Sequence, residues 1–190
     1  MSTVLCTSRA ALPALPDAGV WPFAATPALQ QLHALPRARA EQDERFLQWV
    51  VYLVVQRADG AAWAYRRGGG DARLQGRCSI GVGGHVDAED AGGDLSATLQ
   101  AAVRREIAEE LTDADAARLL AQSLLPTAFV HEGLSAVGRV HVGVVFLAQW
   151  SASAPPNFRE PDLHSLGFLP LAQVADDPRF ERWSREVATW

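Results

Sequence analysis

Hydrophobic residues fall along this chain in two rhythms, and the longest nearly unbroken run is Phe46–Gln56, reading FLQWVVYLVVQ. A run so rich in Val, Tyr and Trp suits a strand covered on both faces. Asp59–Gly60 makes a turn, and Ala61–Arg67 returns as a second strand, giving a hairpin. Cys78–Val86 (CSIGVGGHV) reads as a strand running into a glycine turn. Leu124–Val130 and Ala136–Trp150 are two further strands parted by a turn at Glu132–Gly133, and Leu166–Leu169 is a short one. Between these segments the period lengthens. Asp94 is set to cap a helix that continues to about Leu111, and a shorter helix covers Asp115–Gln122. Near the end Asp177 caps a final helix with Pro178 at its first position, and Phe180, Trp183 and Val187 share one face of it. Residues 1–45 carry no clear period. They predict an irregular arm, with a short helix around Pro27–Leu35, laid over a domain at 46–190. Helices before and after a group of mixed strands imply an α/β/α sandwich around a mixed central sheet.

Composition narrows the function. With 48% hydrophobic and 21% charged residues the chain reads as a soluble globular protein, and its 190 residues suffice for one domain. A net charge of -5 disfavours nucleic acid as a bulk partner, while small phosphorylated substrates stay open if local cations offset the like charge. All 17 basic residues are arginine, which excludes a lysine Schiff base or a phosphate-loop lysine. Two cysteines, Cys6 and Cys78, are too few for a multi-cysteine zinc site and fit a reducing cytoplasm. No stretch approaches the roughly 18 apolar residues of a membrane span, and Pro13, Pro16 and Pro22 interrupt any secretory signal.

The chemical signal lies in Arg105–Glu106–Ile107–Ala108–Glu109–Glu110. At about 100° per residue the three glutamates fall within an arc of about 100°. Held so close, they repel by about 0.2–0.5 kcal/mol for each i,i+3 or i,i+4 pair. A hard divalent cation reverses that sign, because carboxylate oxygens are the ligands it prefers. Val103, Ile107 and Leu111 border the acidic arc, so the carboxylates should sit at the lip of the core. A solvated helix face with Arg105 paired to Glu109 is the competing reading of these six residues alone.

Farther along, Arg139, His141 and Gly143 alternate with Val140, Val142 and Val144. On a strand the first three would share a face, an arrangement suited to a phosphate-bearing ligand lying on the sheet. His141 reads equally well as a hydrogen-bonded histidine in a half-buried strand. His85 follows the glycine turn and could touch substrate or simply hold the turn. Arg73 and Arg77 are further phosphate candidates.

The glycine turn followed by the acidic helix resembles the Nudix box, a glycine, five residues, a glutamate, seven residues, then Arg-Glu-apolar-X-Glu-Glu-X-Gly-apolar. Gly84 matches its first glycine, and Arg105, Glu106, Ile107, Glu109 and Glu110 its central block. Asp90 stands where the pattern has its first glutamate, and the fourteen residues 91–104 stand where it has seven. Thr112 and Asp113 replace the closing glycine and apolar residue. Segments around Arg37–Tyr52, Tyr65–Arg67, Arg73–His85 and Val137–Phe146 are similar to the branch of predicted Nudix phosphoesterases, so the resemblance spans roughly residues 35–150.

This resemblance implies a Mg²⁺-dependent hydrolase (Mn²⁺ being the natural substitute) that cleaves a diphosphate linkage in a small nucleotide-like molecule. Glu106, Glu109, Glu110 and the Gly83 carbonyl would hold the metal, and Arg105 would orient the carboxylates. Glu106 or a distal acid would serve as general base, Glu160 first among the distal ones and Glu132 and Asp162 after it. Arg139, His141, His85 and Arg73 would contact substrate. Two other classes share the fold. An isopentenyl diphosphate isomerase needs a cysteine where this chain has Gly83, and a ligand-sensing domain often lacks box carboxylates that this chain keeps. The proline-rich arm could also cover a second copy in a homodimer.

Overall fold

The computed structural model describes residues 2–12, 17–68 and 75–190. In chain order the strands are β1 (Thr3–Ser8), β2 (Ala18–Pro22), β3 (His33–Pro36), β4 (Phe46–Gln56), β5 (Ala62–Arg67), β6 (Cys78–Ser79), β7 (Gly81–Val82), β8 (Pro126–Glu132), β9 (His141–Gln149) and β10 (Leu163–Leu169). The helices are α1 (Arg37–Ala40), α2 (Leu95–Glu110), α3 (Asp113–Leu120), α4 (Leu171–Asp176) and α5 (Arg182–Ala188). All these strands join one mixed sheet whose main path runs β10-β5-β4-β9-β8-β2.

β4 is its spine. One edge pairs in parallel with β9 over nearly its whole length, from Gln48↔His141 to Gln56↔Gln149. The other edge is shared in succession by four partners: β1 at Phe46 to Gln48, the glycine turn at Val50 and Val51, β7 at Leu53 and Val54, and β5 at Gln56. The expected hairpin between β4 and β5 is therefore splayed. Only Gln56 and Ala62 pair, because the Cys78–Val82 segment inserts between the two strands and takes the hydrogen bonds of both. That wedge opens the space in which the site lies.

Side chains of β4 alternate between two cores, as the period of two requires. Leu47, Trp49, Val51, Leu53 and Val55 meet Leu95, Leu99, Val103 and Ile107 of α2 on one face. Tyr52 and Val54 meet Ile80, Val174, Phe180 and Val187 on the other. Each fully buried side chain of this kind contributes about 1.5–3 kcal/mol. The sheet lies between two helical layers, the α/β/α sandwich that the pattern predicts.

Two expectations are corrected. The described residues before Phe46 are not an irregular arm: β1 and β3 pair with each other, β1 pairs with β4, and β2 pairs with β8 along the far edge. Val4, Leu5 and Cys6 are buried, and the short run TVLCTS is too brief to display a period in sequence. Around Pro27 only a 3-10 turn forms, Pro27–Gln30, before β3 begins. The last helix also starts later than Asp177–Pro178 suggests. The Asp177 carboxylate is taken by Arg179 and its amide, α5 begins at Arg182, and a separate α4 precedes it.

Candidate active site

The α2 helix ends where the sheet opens. Asp94 caps its start, accepting from the Ala97 amide at 2.8 Å, and α2 runs through Arg105 to Glu110. The fourteen residues between Asp90 and Arg105 are thus four linking residues, 91–94, and ten helical ones, 95–104. Arg105 is a hub. Its Nε and Nη2 donate to the two oxygens of Asp90 at 3.0 and 2.8 Å, and Nη2 also donates to the His85 carbonyl at 2.9 Å. Its Nη1 donates to Glu106 at 2.8 Å and Glu109 at 3.1 Å. Asp90 is itself fixed in the capping box of the 88–90 turn, accepting from the Asp87 amide at 2.8 Å. The shorter acid at this place therefore clamps Arg105 rather than pointing into the cleft, and the bond to Asp90 raises the guanidinium's pKa further.

The glycine turn meets the helix directly. Gly83 has φ +146°, and a methyl there would drive into the Val51 carbonyl oxygen. Glycine permits this close approach. A methyl on Gly84 would lie 2.7–2.9 Å from the Glu106 carboxylate, so the turn forms the wall against which that carboxylate rests. Burial pushes the Glu106 carboxyl up to about 7, against the opposing pull of Arg105. Glu110 is raised as well, by burial first and then by the charge of Glu160. Asp87 is raised by burial. Buried, mutually repelling oxygen donors of this kind suit a hard cation. Among the described residues no three acidic, histidine or cysteine side chains stand close enough to hold an ion as they are, since Arg105 occupies Glu106 and Glu109. The donor set fits a divalent metal, and those carboxylates would turn from Arg105 to share it.

These groups line one cleft of about 990 Å³. Its glutamate wall is Glu106, Glu109 and Glu110 with Gly83, Gly84 and His85. A second wall comes from the end of β5, the residue before β6, and α5 with its N-cap, and includes Arg67, Arg77, Glu181, Trp183 and Arg185. His141 reaches the cleft beside His85, with Nε2 atoms 3.0 Å apart. Its Nδ1 lies 2.7 Å from the Val137 carbonyl, which can only accept, so the Nδ1 carries a proton. In the neutral ring Nε2 then accepts from His85.

Other expected residues fall elsewhere. Arg139 is not on the cleft. It sits in the 3-10 turn Gly138–Val140, ahead of β9, so the strand alternation does not extend back to it, and its Nε pairs with Glu44 at 2.8 Å on the surface. The gap at Gly143 is filled by Trp183, whose ring a methyl there would meet at 2.8 Å. Arg73 lies outside the described residues. Glu160 is exposed on the outer edge of the α2 terminus, where Arg159 donates its amide to the Glu110 carbonyl at 2.8 Å. Glu132 does border the cleft, but its oxygens are taken by the Leu134 and Ser135 amides and the Ser135 hydroxyl.

Sequence reasoning missed Arg67, Glu181 and Arg185. Arg67 was two positions from Tyr65 in a strand, a spacing that places both on one face. Glu181 carried no signal. Its Oε1 gathers the hydroxyls of Ser79 at 2.6 Å and Tyr52 at 3.0 Å, with Tyr52 also 2.7 Å from the Ser184 hydroxyl. This network lies under the glycine turn, for Gly81 sits against the Tyr52 ring and its carbonyl accepts from Tyr65 at 2.7 Å.

Comparison with known proteins places this geometry. The model of the NUDIX domain matches residues 46–190. Protein YmaB of Bacillus subtilis (strain 168) is 29% identical over 156 residues, covering 80% of this chain and 74% of its own. Among solved structures, Tm1382, a candidate Nudix hydrolase, superposes with a TM-score of 0.75 at 21% identity, covering 98% of this chain and 96% of its own. DR0079 from Deinococcus radiodurans gives 0.54 at 22% identity, with 77% and 82% covered. The MutT protein from Methanosarcina mazei Go1 gives 0.51 at 16%, with 75% and 91% covered.

Proposed function

The chain belongs to the NUDIX domain family and is a Nudix hydrolase, and on that premise we propose that the cleft is a magnesium-dependent site for splitting a phosphoanhydride in a nucleoside diphosphate-X type molecule. Glu106, Glu109, Glu110 and the Gly83 carbonyl are the residues that would hold the ion, with manganese as its natural substitute. A divalent ion held there would supply Lewis-acid polarisation of a phosphoryl oxygen and a lowered pKa for an attacking water. The protein's own part is positioning. Arg105, clamped by Asp90 and the His85 carbonyl, holds Glu106 and Glu109 side by side at the mouth of the glycine turn. Of the two acids expected to receive the water's proton, Glu106 lines the cleft and Glu160 does not, so Glu106 is the better placed. His85 and His141 border the same space and would meet the substrate. Free, buried thiols at Cys6 and Cys78 support a place in the reducing cytoplasm. Among the described residues no helix is long and apolar enough to cross a membrane.

The observation that carries this reading is the Glu106 carboxylate, buried against Gly84 and raised by that burial beside two further glutamates. The test is Glu109→Gln, because the side chain of Glu109 is 58% exposed and its loss leaves the fold intact. Phosphate release should be followed with Mg²⁺ over nucleoside di- and triphosphates, nucleotide sugars and dinucleotides. The variant should lose at least about a hundredfold in turnover, as removal of a metal-supporting group does. Unchanged turnover would reject the site, and no release by the wild type anywhere on the panel would favour a ligand-sensing role.

A further inference from the structure

Six arginines border the cleft: Arg37, Arg67, Arg77, Arg105, Arg182 and Arg185. Three have acidic partners. Arg105 is taken by Asp90 and the glutamates, Arg37 pairs with Glu41, and Arg182 with Glu186. The other three bond only neutral oxygens among the described residues. Arg67 Nη2 donates to the Tyr65 hydroxyl at 3.0 Å, Arg77 Nη1 to the Pro178 carbonyl at 2.9 Å, and Arg185 Nε to the Ala175 carbonyl at 3.0 Å. Neutral acceptors fix a guanidinium in place and leave its charge uncancelled. The Arg67 Nε is buried with no partner at all, a costly state for a donor.

Their arrangement adds to this. β5 and β6 pair with Tyr65 opposite Ser79 and Arg66 opposite Cys78, and the Arg67 amide donates to the Arg77 carbonyl at 3.0 Å. The Arg67 carbonyl in turn accepts from the Gly76 amide at 2.8 Å, so the chain at Gly76–Arg77 lies opposite Arg67 where the β5–β6 ladder ends. Like charges directly opposite on a sheet destabilise it. Arg185 is tethered to the same segment, 175–181, whose Pro178 carbonyl holds Arg77. The charges of Glu181 and Glu110 reach Arg67 through space, yet neither bonds it, and the Glu181 Oε1 is committed to hydroxyls. An anion between the three guanidinium groups would reverse the repulsion and supply the missing acceptor.

We propose that Arg67, Arg77 and Arg185 form an anion subsite in the second wall of the cleft, and that it takes a phosphate group which the substrate carries away from the linkage being cut. Arginine suits a tetrahedral oxyanion because its planar fork gives paired bonds. This inference rests on the hydrolase reading for its meaning, and it narrows the substrate to a diphosphate compound bearing a further phosphate.

The test uses inorganic phosphate as the probe, titrated by calorimetry at low ionic strength into full-length protein freed of metal on a chelating resin. Wild type should give a weak saturable isotherm. Arg77→Gln and Arg185→Gln should each weaken it about tenfold, in keeping with loss of one charged hydrogen bond, while Arg77→Lys should recover part of the loss. Thermal unfolding of each variant checks that the fold is kept. No saturable phosphate binding by the wild type, equal binding by both glutamine variants, or acetate binding as tight as phosphate would each overturn the proposal. Because no turnover is involved, the outcome is independent of the hydrolase test. A fully active Glu109→Gln would sink the hydrolytic site and leave the phosphate isotherm standing, and the reverse result would leave hydrolysis standing without the subsite.

Discussion

The two walls of the cleft are built in opposite ways. The glutamate wall comes from one helical turn and one glycine bend, and its charge is held under an arginine that five hydrogen bonds lock in place. The arginine wall is gathered from the end of β5, the residue before β6 and the helix α5, the last more than a hundred residues beyond the other two, and its guanidinium groups hang on neutral oxygens. A compact acidic turn needs a rigid clamp because its charges repel at short range in a half-buried place, where the effective dielectric is low. A dispersed cationic wall can leave its charges open to solvent and ligand. On the proposed reading the first wall would take a cation and the second an anion.

The sharpest way to break this contrast is at the bend. Gly83→Ala should cost about 2–4 kcal/mol of stability, because the new methyl meets backbone that cannot yield and φ is +146°. Gly84→Ala meets only the end of the Glu106 side chain, so the protein should unfold near the wild-type temperature while turnover falls. Denaturant melts beside rate measurements separate the two. Equal stability losses would mean that the bend serves the fold alone.

A second, smaller effect is expected from pH. The Glu106 carboxyl is raised to about 7 from an ordinary value of 4.5, and Glu110 and Asp87 move in the same direction. The folded, metal-free protein therefore binds more protons than the unfolded chain between these values. Their contribution to stability is full below about 4.5 and is lost as pH rises through about 7, opposed in part by His131, whose pKa burial lowers. Tm of metal-free protein should fall by several degrees over that window, at about 2–4 °C per kcal/mol, and Mg²⁺ should restore it above pH 7. A Tm that rises with pH over the same range would contradict the burial of the acidic wall.

The smallest effect is expected outside both walls. Arg139→Ala removes a surface pair with Glu44 and should change stability by less than about 1 kcal/mol and leave turnover alone. A strong loss of activity would return Arg139 to the site.

What was legible in the sequence follows the same division. Local chemistry could be read directly: the β4 strand, the Asp94 cap, α2 and the acidic turn are each set by neighbours within a few positions. Gly83 and Gly84 could be read because the bend needs a backbone without Cβ. Of the arginine wall only Arg77 could be read, as a phosphate candidate; Arg67 and Arg185 could not, since nothing near Arg185 in the chain indicates that it bonds the segment whose Pro178 carbonyl holds Arg77. Arg139 misled because alternation was extended through a 3-10 turn that sequence period does not mark. β1 and β3 escaped notice because each is a short strand whose pairing partner, rather than its own pattern, defines it.

The central claim, that the acidic turn and the bend together take a divalent ion, is tested most directly by calorimetric titration of Mg²⁺ into metal-free protein below and above pH 7. The account predicts saturable uptake that releases protons at the lower pH, as buried carboxyls must ionise to bind, and that is lost in Glu106→Gln. Absence of uptake at both pH values, or uptake unaltered by Glu106→Gln, would contradict it.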